Sequence, residues 1–295
     1  MNNLNSFFKW YPLIKDIVPT PKTIMIPREK EFIDIDIALS PAYGGEVKEP
    51  EMIRLVAEAD KAAKVLGGYP VFLRSDETSY KHEWVDSCFI PNKASLGKGM
   101  ANIYEFTLMN DFSGLEFNGI VIREFLDLPH EFHAFKGMPV SQEFRFFIKN
   151  GYVQCRHPYW FPGAMRRVDV DDWLPKLRKL QELPEATKQL LDNYARAVSK
   201  AVEPLGAPDN YWSVDFCYAN GKGWVVTDMA VGEDSYHYGT CPFAPKEMLT
   251  NYGNPETIPE DATLTAIHDR GEKLKLLLDE LASNANHCSS ETTKK

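Results

Sequence analysis

Trp212-Ser-Val-Asp215-Phe-Cys-Tyr-Ala219-Asn220-Gly221-Lys-Gly-Trp224-Val-Val-Thr-Asp228-Met-Ala230-Val231 reads as two strands joined at an Asn-Gly pair, the strongest short-range hairpin signal a sequence carries. With Asn220 and Gly221 as a two-residue turn, Asp215 lies opposite Val226 and Ser213 opposite Asp228. The two aspartates are then diagonal neighbours on one face, with Cβ atoms about 7–8 Å apart or somewhat less. Hard cations bridge short carboxylates at such spacings. The opposite face carries Trp212, Val214, Phe216, Val225 and Met229 and reads as a packing face. The simpler alternative is a solvated sheet face with two aspartates and no ligand. Aspartate is depleted in strand interiors, and Asp228 runs into the polar turn Ala230 to Ser235, so a metal site is the reading kept. Glu233 and Asp234 are either further ligands or plain turn residues.

A second Asn-Gly, Asn150-Gly151, predicts a second hairpin. Two-residue turn geometry puts Arg145 opposite Arg156 and Lys149 opposite Tyr152. Like charges directly across a strand pair repel, which suits an anion between the two guanidinium groups. Glu143, diagonal to Arg156, supplies the alternative of a salt-bridged ladder without ligand, and both stay open. His157 falls on the other face in this register and is read as structural.

Working outward, Tyr69-Pro-Val-Phe-Leu-Arg74 is a buried strand that opens into Ser75-Asp-Glu-Thr-Ser-Tyr-Lys81-His82. This run of hydroxyls and cations either folds over phosphates or is a solvated loop. It lacks Walker A glycines, and neither Gly-x-x-x-x-Gly-Lys-Ser/Thr nor Gly-x-Gly-x-x-Gly occurs in the chain. Gly-x-Ser-x-Gly, His-Glu-x-x-His and Lys-x-Asp-Gly are absent too, which removes the usual anchors of hydrolase, zincin and lysine-adenylating readings.

The 295 residues have 44% hydrophobic and 25% charged side chains, ordinary values for a folded chain. A net charge of -9 disfavours a nucleic-acid backbone as the main partner. Cys88, Cys155, Cys217, Cys241 and Cys288 form no Cys-x-x-Cys pair and read as reduced thiols of a cytoplasmic protein. No run approaches the length of a signal-peptide core or a membrane span.

Periodicity and breakers predict a helix over 7–17, a strand over 23–27, a helix from Pro50 to Gly67-Gly68, strands over 69–74, 84–90 and 119–126, and a helix over 96–109. An irregular connection over 127–139 holds His130 and His133. Helices over 169–180, 184–202 and 264–282 and a polar tail complete the chain. The corresponding domain division is an N-terminal α/β region over 1–68, a small lobe over 69–126, a large lobe with the metal site over 127–284, and a disordered tail over 285–295.

Taken in order, these segments resemble the ATP-grasp superfamily from about Trp10 to His237. Val18-Pro-Thr-Pro-Lys22-Thr23 looks like the lead into an early strand of that family, with Lys22 a nucleotide-side residue. Pro70-Val-Phe-Leu-Arg74 is similar to the strand that ends in a nucleotide-binding lysine, here arginine, which points to the clade with that replacement. Val121-Ile-Arg-Glu124-Phe125-Leu126 resembles the linker strand whose backbone holds adenine, with Glu124 or Asp127 as the ribose acid. Glu143-Phe-Arg145 looks like the phosphate-side strand, and Asp215 and Asp228 resemble the paired metal ligands. Two departures stand out: Asp228-Met-Ala230 replaces the usual Glu-x-Asn, and Thr78-Ser-Tyr-Lys-His82 replaces the glycine-rich loop.

The resemblance implies an α+β fold of two lobes clasping ATP, and a Mg2+-dependent carboxylate-amine or carboxylate-thiol ligase working through an acyl phosphate. Arg145, Arg156 and Lys81 would be catalytic. Arg74, Lys22, Glu124, Phe125, Leu126 and Asp127 would hold the nucleotide, and Asp215 and Asp228 the metal. The partners implied are ATP and small-molecule or peptide carboxylates and amines. A catalytically reduced nucleotide-binding module and an ATP-dependent nucleic-acid ligase are the alternatives. Substrate identity and oligomeric state are not written in the sequence.

Overall fold

Alternating apolar residues in Thr23–Pro27 (β1), Val71–Ser75 (β2) and Gly119–Glu124 (β4) build a sheet whose two faces meet different surroundings. We describe a computed structural model that covers residues 3–110, 116–238, 241–244 and 255–268. With Phe89–Ile90 (β3), these strands pair antiparallel in the order β1-β4-β2-β3. Ile26, Leu73, Ile120 and Ile122 face two helices, Pro50–Val65 (α3) and Leu96–Met109 (α4). α3 presents Met52, Leu55, Ala59, Ala62 and Ala63 along one stripe. It starts on Pro50 with the Glu49 carboxylate accepting from Met52 N at 2.7 Å, and stops before Gly67 and Gly68, both in the left-handed region. The short helix Ile35–Leu39 (α2) precedes it and starts on Asp34, whose carboxylate accepts from Ile37 N at 3.0 Å. Phe72, Arg74, Val121 and Arg123 occupy the other face of the sheet, paired Arg74 with Val121 and Phe72 with Arg123.

The larger sheet has the order β10-β9-β7-β8, from Glu143–Lys149 (β7), Tyr152–Pro158 (β8), Trp212–Ala219 (β9) and Gly223–Val231 (β10). Phe144, Phe146, Ile148, Trp212, Val214 and Phe216 pack under Phe7–Ile14 (α1) and Glu185–Val202 (α6). The remaining face presents Glu143, Arg145, Ser213, Asp215 and Cys217 toward the smaller sheet. A third cluster joins His130–Ala134 (β5) and Met138–Ser141 (β6) to Trp84, Trp160 and Trp173–Leu180 (α5). Among the described residues no helix is long and apolar enough to cross a membrane.

Several expectations change. Residues 84–90 are mostly a 3-10 turn, with strand only at Phe89 and Ile90. The connection over 127–139 contains β5 and the start of β6 rather than irregular chain. Gly67-Gly68 is a turn inside one core, because Met52 and Leu55 pack with Val71 and Leu73. α1 joins the large-lobe core instead of an N-terminal unit. Residues 264–268 are helical. The rest of the helix expected over 264–282, and the tail over 285–295, lie outside the described residues.

Both hairpins depart from the two-residue register, in different ways. Asn150 and Gly151 do form the tight turn, both with positive φ, and Lys149 pairs with Tyr152. A bulge then intervenes between Phe147 and Ile148, leaving Gln154 as the extra residue, so Arg145 pairs with His157 and Phe146 with Arg156. The expected Arg145–Arg156 opposition is therefore replaced. One extra residue exchanges the faces of everything beyond it. In the other hairpin, Ala219 pairs with Gly223 around a three-residue loop, and a bulge at Thr227 brings Asp228 directly opposite Asp215. Two shifts restore the parity that one would have broken. Val226, rather than Val225, consequently joins the core.

Candidate active site

A cleft of about 740 Å3, partly open to solvent, separates the two sheets, a size in the range of small-molecule and cofactor sites. Arg74, Lys81, Glu124, Phe125, Leu126, Glu143 and Asp228 line it, with Phe72, Trp84, Arg123, Trp160 and Thr227.

Charge in the cleft is paired across the sheets. Arg74, only 2% exposed, places Nη1 2.8 Å from Asp228 Oδ1. Met229 N donates to the same oxygen at 3.0 Å. Arg145 holds Asp215 in a bidentate fork, Nε to Oδ1 at 2.7 Å and Nη2 to Oδ2 at 2.8 Å. Burial opposes the charge on Arg145, yet the Asp215 carboxylate outweighs it and raises the guanidinium above its ordinary range. Lys81 Nζ lies 3.7 Å from Glu143 Oε1 and 4.2 Å from the centre of the Tyr159 ring. Burial disfavours this ammonium as well, but Glu143, Tyr159 and Asp215 more than compensate and raise it. Glu143 itself is raised by burial.

Arg123 breaks the pairing. It is 5% exposed and donates from Nη1 to the Thr227 carbonyl at 2.7 Å, while its Nε has no partner among the described residues. The bulge explains the contact: Thr227 is the residue left over between two strand pairs, and its carbonyl needs a donor from outside the ladder. Burial, then repulsion from Arg74, lowers Arg123 to about 10. Phe7 lies beneath both arginines, with its ring centre 5.3 Å from the Arg74 guanidinium and 5.5 Å from that of Arg123. A buried cation without a counter-carboxylate, next to a second one, is an anion site waiting for its anion. Arg123 interrupts the apolar run Gly119 to Phe125, and that interruption is the sequence signal for it; read alone, the run places the residue only in a linker strand.

The other expected residues fall outside the cleft or at its rim. Arg156 is on the helix side of β8, where Nε donates to Asp192 of α6 at 2.6 Å and Nη2 bonds the second carboxylate oxygen. Lys22 is exposed, and its backbone N donates to Glu124 Oε1 at 2.6 Å. Lys222 Nζ meets the same oxygen at 2.9 Å. Asp127 is exposed and ties down the β9–β10 loop, accepting from Asn220 N at 2.8 Å and Asn220 Nδ2 at 3.1 Å. Phe125 packs with Trp84 and Phe89 on an aromatic wall, at ring separations of 6.2 and 5.2 Å.

Residues 65–249 match the model of an ATP-grasp domain family, family 3 of the R-to-K clade. No curated protein matches the sequence. Among solved structures the chain is similar to N5-carboxyaminoimidazole ribonucleotide synthetase from Thermotoga maritima, with TM-score 0.39, 12% identity, and 80% of this chain matched to 44% of that one. C-terminally truncated Cdc123 from Schizosaccharomyces pombe aligns with TM-score 0.44 and 17% identity over 86% of this chain and 93% of its own. D-alanine–D-alanine ligase from Bacillus anthracis, complexed with ATP, aligns with TM-score 0.39 and 12% identity over 77% and 54%. The chain thus spans about half, or less, of the length of the synthetase and the ligase.

Proposed function

This chain belongs to family 3 of the R-to-K clade of ATP-grasp domains, and we propose that it is an ATP- and Mg2+-dependent ligase joining a carboxylate to an amine or thiol through an acyl phosphate. The observation that carries the reading is the direct opposition of Asp215 and Asp228 beneath a cleft walled by Arg74, Arg123, Lys81 and Arg145.

The donor set fits Mg2+, which takes one or two carboxylates from protein and completes its shell with water and phosphate oxygens. Both contacts on Asp228 fall on Oδ1, so Oδ2 is the oxygen to offer a metal, and Asp215 retains lone pairs beyond its fork with Arg145. Mg2+ held there supplies neutralisation of phosphate charge. Arg74 and Arg123 would bind phosphate oxygens from the small-lobe side. Lys81 and Arg145 would meet the transferring phosphoryl group and the acceptor carboxylate from the other side, offsetting charge that builds during transfer. Phe72, Trp84 and Phe125 form an apolar wall for adenine, with the Glu124 to Leu126 backbone along its edge. Lys22 and Asp127 support that linker from outside. Arg156 has no part in the cleft chemistry in this reading. The free thiols of Cys88 and Cys217 suit the cytoplasm.

A reduced, nucleotide-binding module is the second reading, favoured by Ala230. It stands opposite Ser213, next along the ladder from the aspartates, and brings no oxygen ligand. Incubation with ATP, Mg2+ and a pool of amino acids separates the two. Formation of ADP that Asp228→Asn abolishes supports the ligase; ATP binding without ADP sinks it in favour of the module. Covalent labelling from [α-32P]ATP with AMP release would point to nucleic-acid joining, which the net charge of -9 disfavours.

A further inference from the structure

At the outer edge of the larger sheet, away from the paired aspartates, four side chains converge that are far apart in sequence. Cys155 and His157 lie two residues apart on β8, facing the same way. His237 and Cys241 come from the segment after β10. One ligand atom from each, two sulfurs and two imidazole nitrogens, all lie within 4.8 Å of one another. Cys155 Sγ is 3.3 Å from His237 Nε2, close to the edge of a sulfur-metal-nitrogen tetrahedron, roughly 3.5 Å for Zn-S and Zn-N bonds of about 2.3 and 2.0 Å.

The surroundings look built for a ligand that satisfies nitrogen lone pairs. His157 Nε2 and His237 Nδ1 are buried and have no hydrogen-bond partner among the described residues. His237 is 1% exposed and is packed on Phe147 with ring centres 3.9 Å apart. His157 stacks on Tyr238 at 4.9 Å, and Cys241 N donates to Tyr238 O at 2.9 Å, folding the segment back toward β8. Unpaired polar atoms in a buried aromatic setting are costly, and a cation bound through them removes the cost. Burial also lowers both imidazoles to about 4, so they stand neutral, as ligation requires.

We propose that Cys155, His157, His237 and Cys241 form a structural Zn2+ site of the Cys2His2 type. Two sulfurs and two nitrogens in a tetrahedron, with every position taken by protein, is the donor set of a closed zinc centre rather than a catalytic one. It is independent of the nucleotide reading, since none of its ligands lines the cleft. Its mechanical role follows from the chain path. Tyr236, next to His237, accepts from Arg145 Nη1 through its carbonyl at 3.4 Å. Zinc would pin the segment behind Arg145 to edge strand β8 and hold the Arg145–Asp215 fork in place. The bulge at Gln154 makes this possible, because it turns Cys155 and His157 to the cleft-side face and sends Arg156 to α6.

The test is metal content and ligand-field spectroscopy on the full chain. Purified without chelator, it should carry close to one zinc per chain. After stripping under reducing conditions, Co2+ alone should give the intense visible absorption and sulfur-to-cobalt charge transfer of a tetrahedral S2N2 site, displaced by Zn2+. Cys241→Ser and His157→Ala should each weaken zinc binding at least tenfold, while Asp228→Asn retains the full zinc content. If a ligand variant fails to fold, the cobalt spectrum of the unsubstituted chain still decides. A spectrum without thiolate bands, or zinc unchanged in the Cys155→Ser/Cys241→Ser double variant, overturns the proposal. So does a Cys155–Cys241 disulfide whose reduction yields no cobalt site.

Discussion

Arg74 and Asp228 meet across the cleft at 2.8 Å, Nη1 to Oδ1, the guanidinium from the small-lobe sheet and the carboxylate from the large-lobe sheet. Arg74 is buried, whereas the Asp228 side chain keeps 31% of its exposure. The pair therefore closes the cleft with the cation inside and the carboxylate at the opening. A phosphate entering would find Arg74 already oriented, and Arg123 beside it without a carboxylate of its own.

Replacing Arg123 should separate stability from binding. Arg123→Met removes a buried cation that Arg74 repels and that leaves Nε unpaired, at the cost of the hydrogen bond to Thr227 O. A hydrophobic replacement of similar volume at a buried charge is often neutral or stabilising. Thermal unfolding should shift by no more than about 1 kcal/mol equivalent, while ATP affinity falls at least tenfold, about 1.4 kcal/mol. A large loss of stability with unchanged ATP affinity would place Arg123 in the fold alone.

The bulge at Gln154 predicts unequal effects of two arginines that the unbulged register treats as partners. Arg156→Ala breaks a partly exposed ion pair with Asp192 and should cost roughly 1 kcal/mol of stability with ATP affinity within twofold. Arg145→Ala leaves Asp215, 2% exposed, without its fork, and should cost roughly 3–5 kcal/mol together with turnover. Isothermal titration and chemical unfolding of both variants read this directly; equal loss of nucleotide binding would contradict the register.

Glu77 sets a pH dependence. Burial, reinforced by the Asp76 and Glu116 charges, outweighs the hydrogen bond from Glu116 N and raises the carboxyl to about 7 from an ordinary 4.5. Between those values the folded chain keeps a proton that the unfolded chain has lost, so stability falls as pH rises through the window. The contribution is at most roughly 3 kcal/mol, at 1.36 kcal/mol per unit. Unfolding curves from pH 4.5 to 8 should show this decline, and Glu77→Gln should flatten it. An unaltered slope in the variant would remove Glu77 as its source.

Much of this molecule is legible in the chain. The helix over 96–109 and the strand over 23–27 follow from periodicity and flanking turn residues, and the order of Arg74, Glu143-Phe-Arg145, Asp215 and Asp228 is enough to suggest the ATP-grasp fold, which the family match bears out. Those signals are local or ordinal, and sequence carries both. What only the tertiary structure decided is face and partner. A strand has a period of two, so one unpaired residue inverts every side chain beyond it. Gln154 does this once, giving Arg156 to Asp192 and turning Cys155 and His157 toward His237 and Cys241. The Asn220–Lys222 loop and the Thr227 bulge do it twice, which is why Asp215 and Asp228 share a face although the turn is not the one Asn-Gly predicts. Bulges are held by contacts from elsewhere in the fold, here Arg123 on the Thr227 carbonyl, and a hairpin's own residues do not encode them.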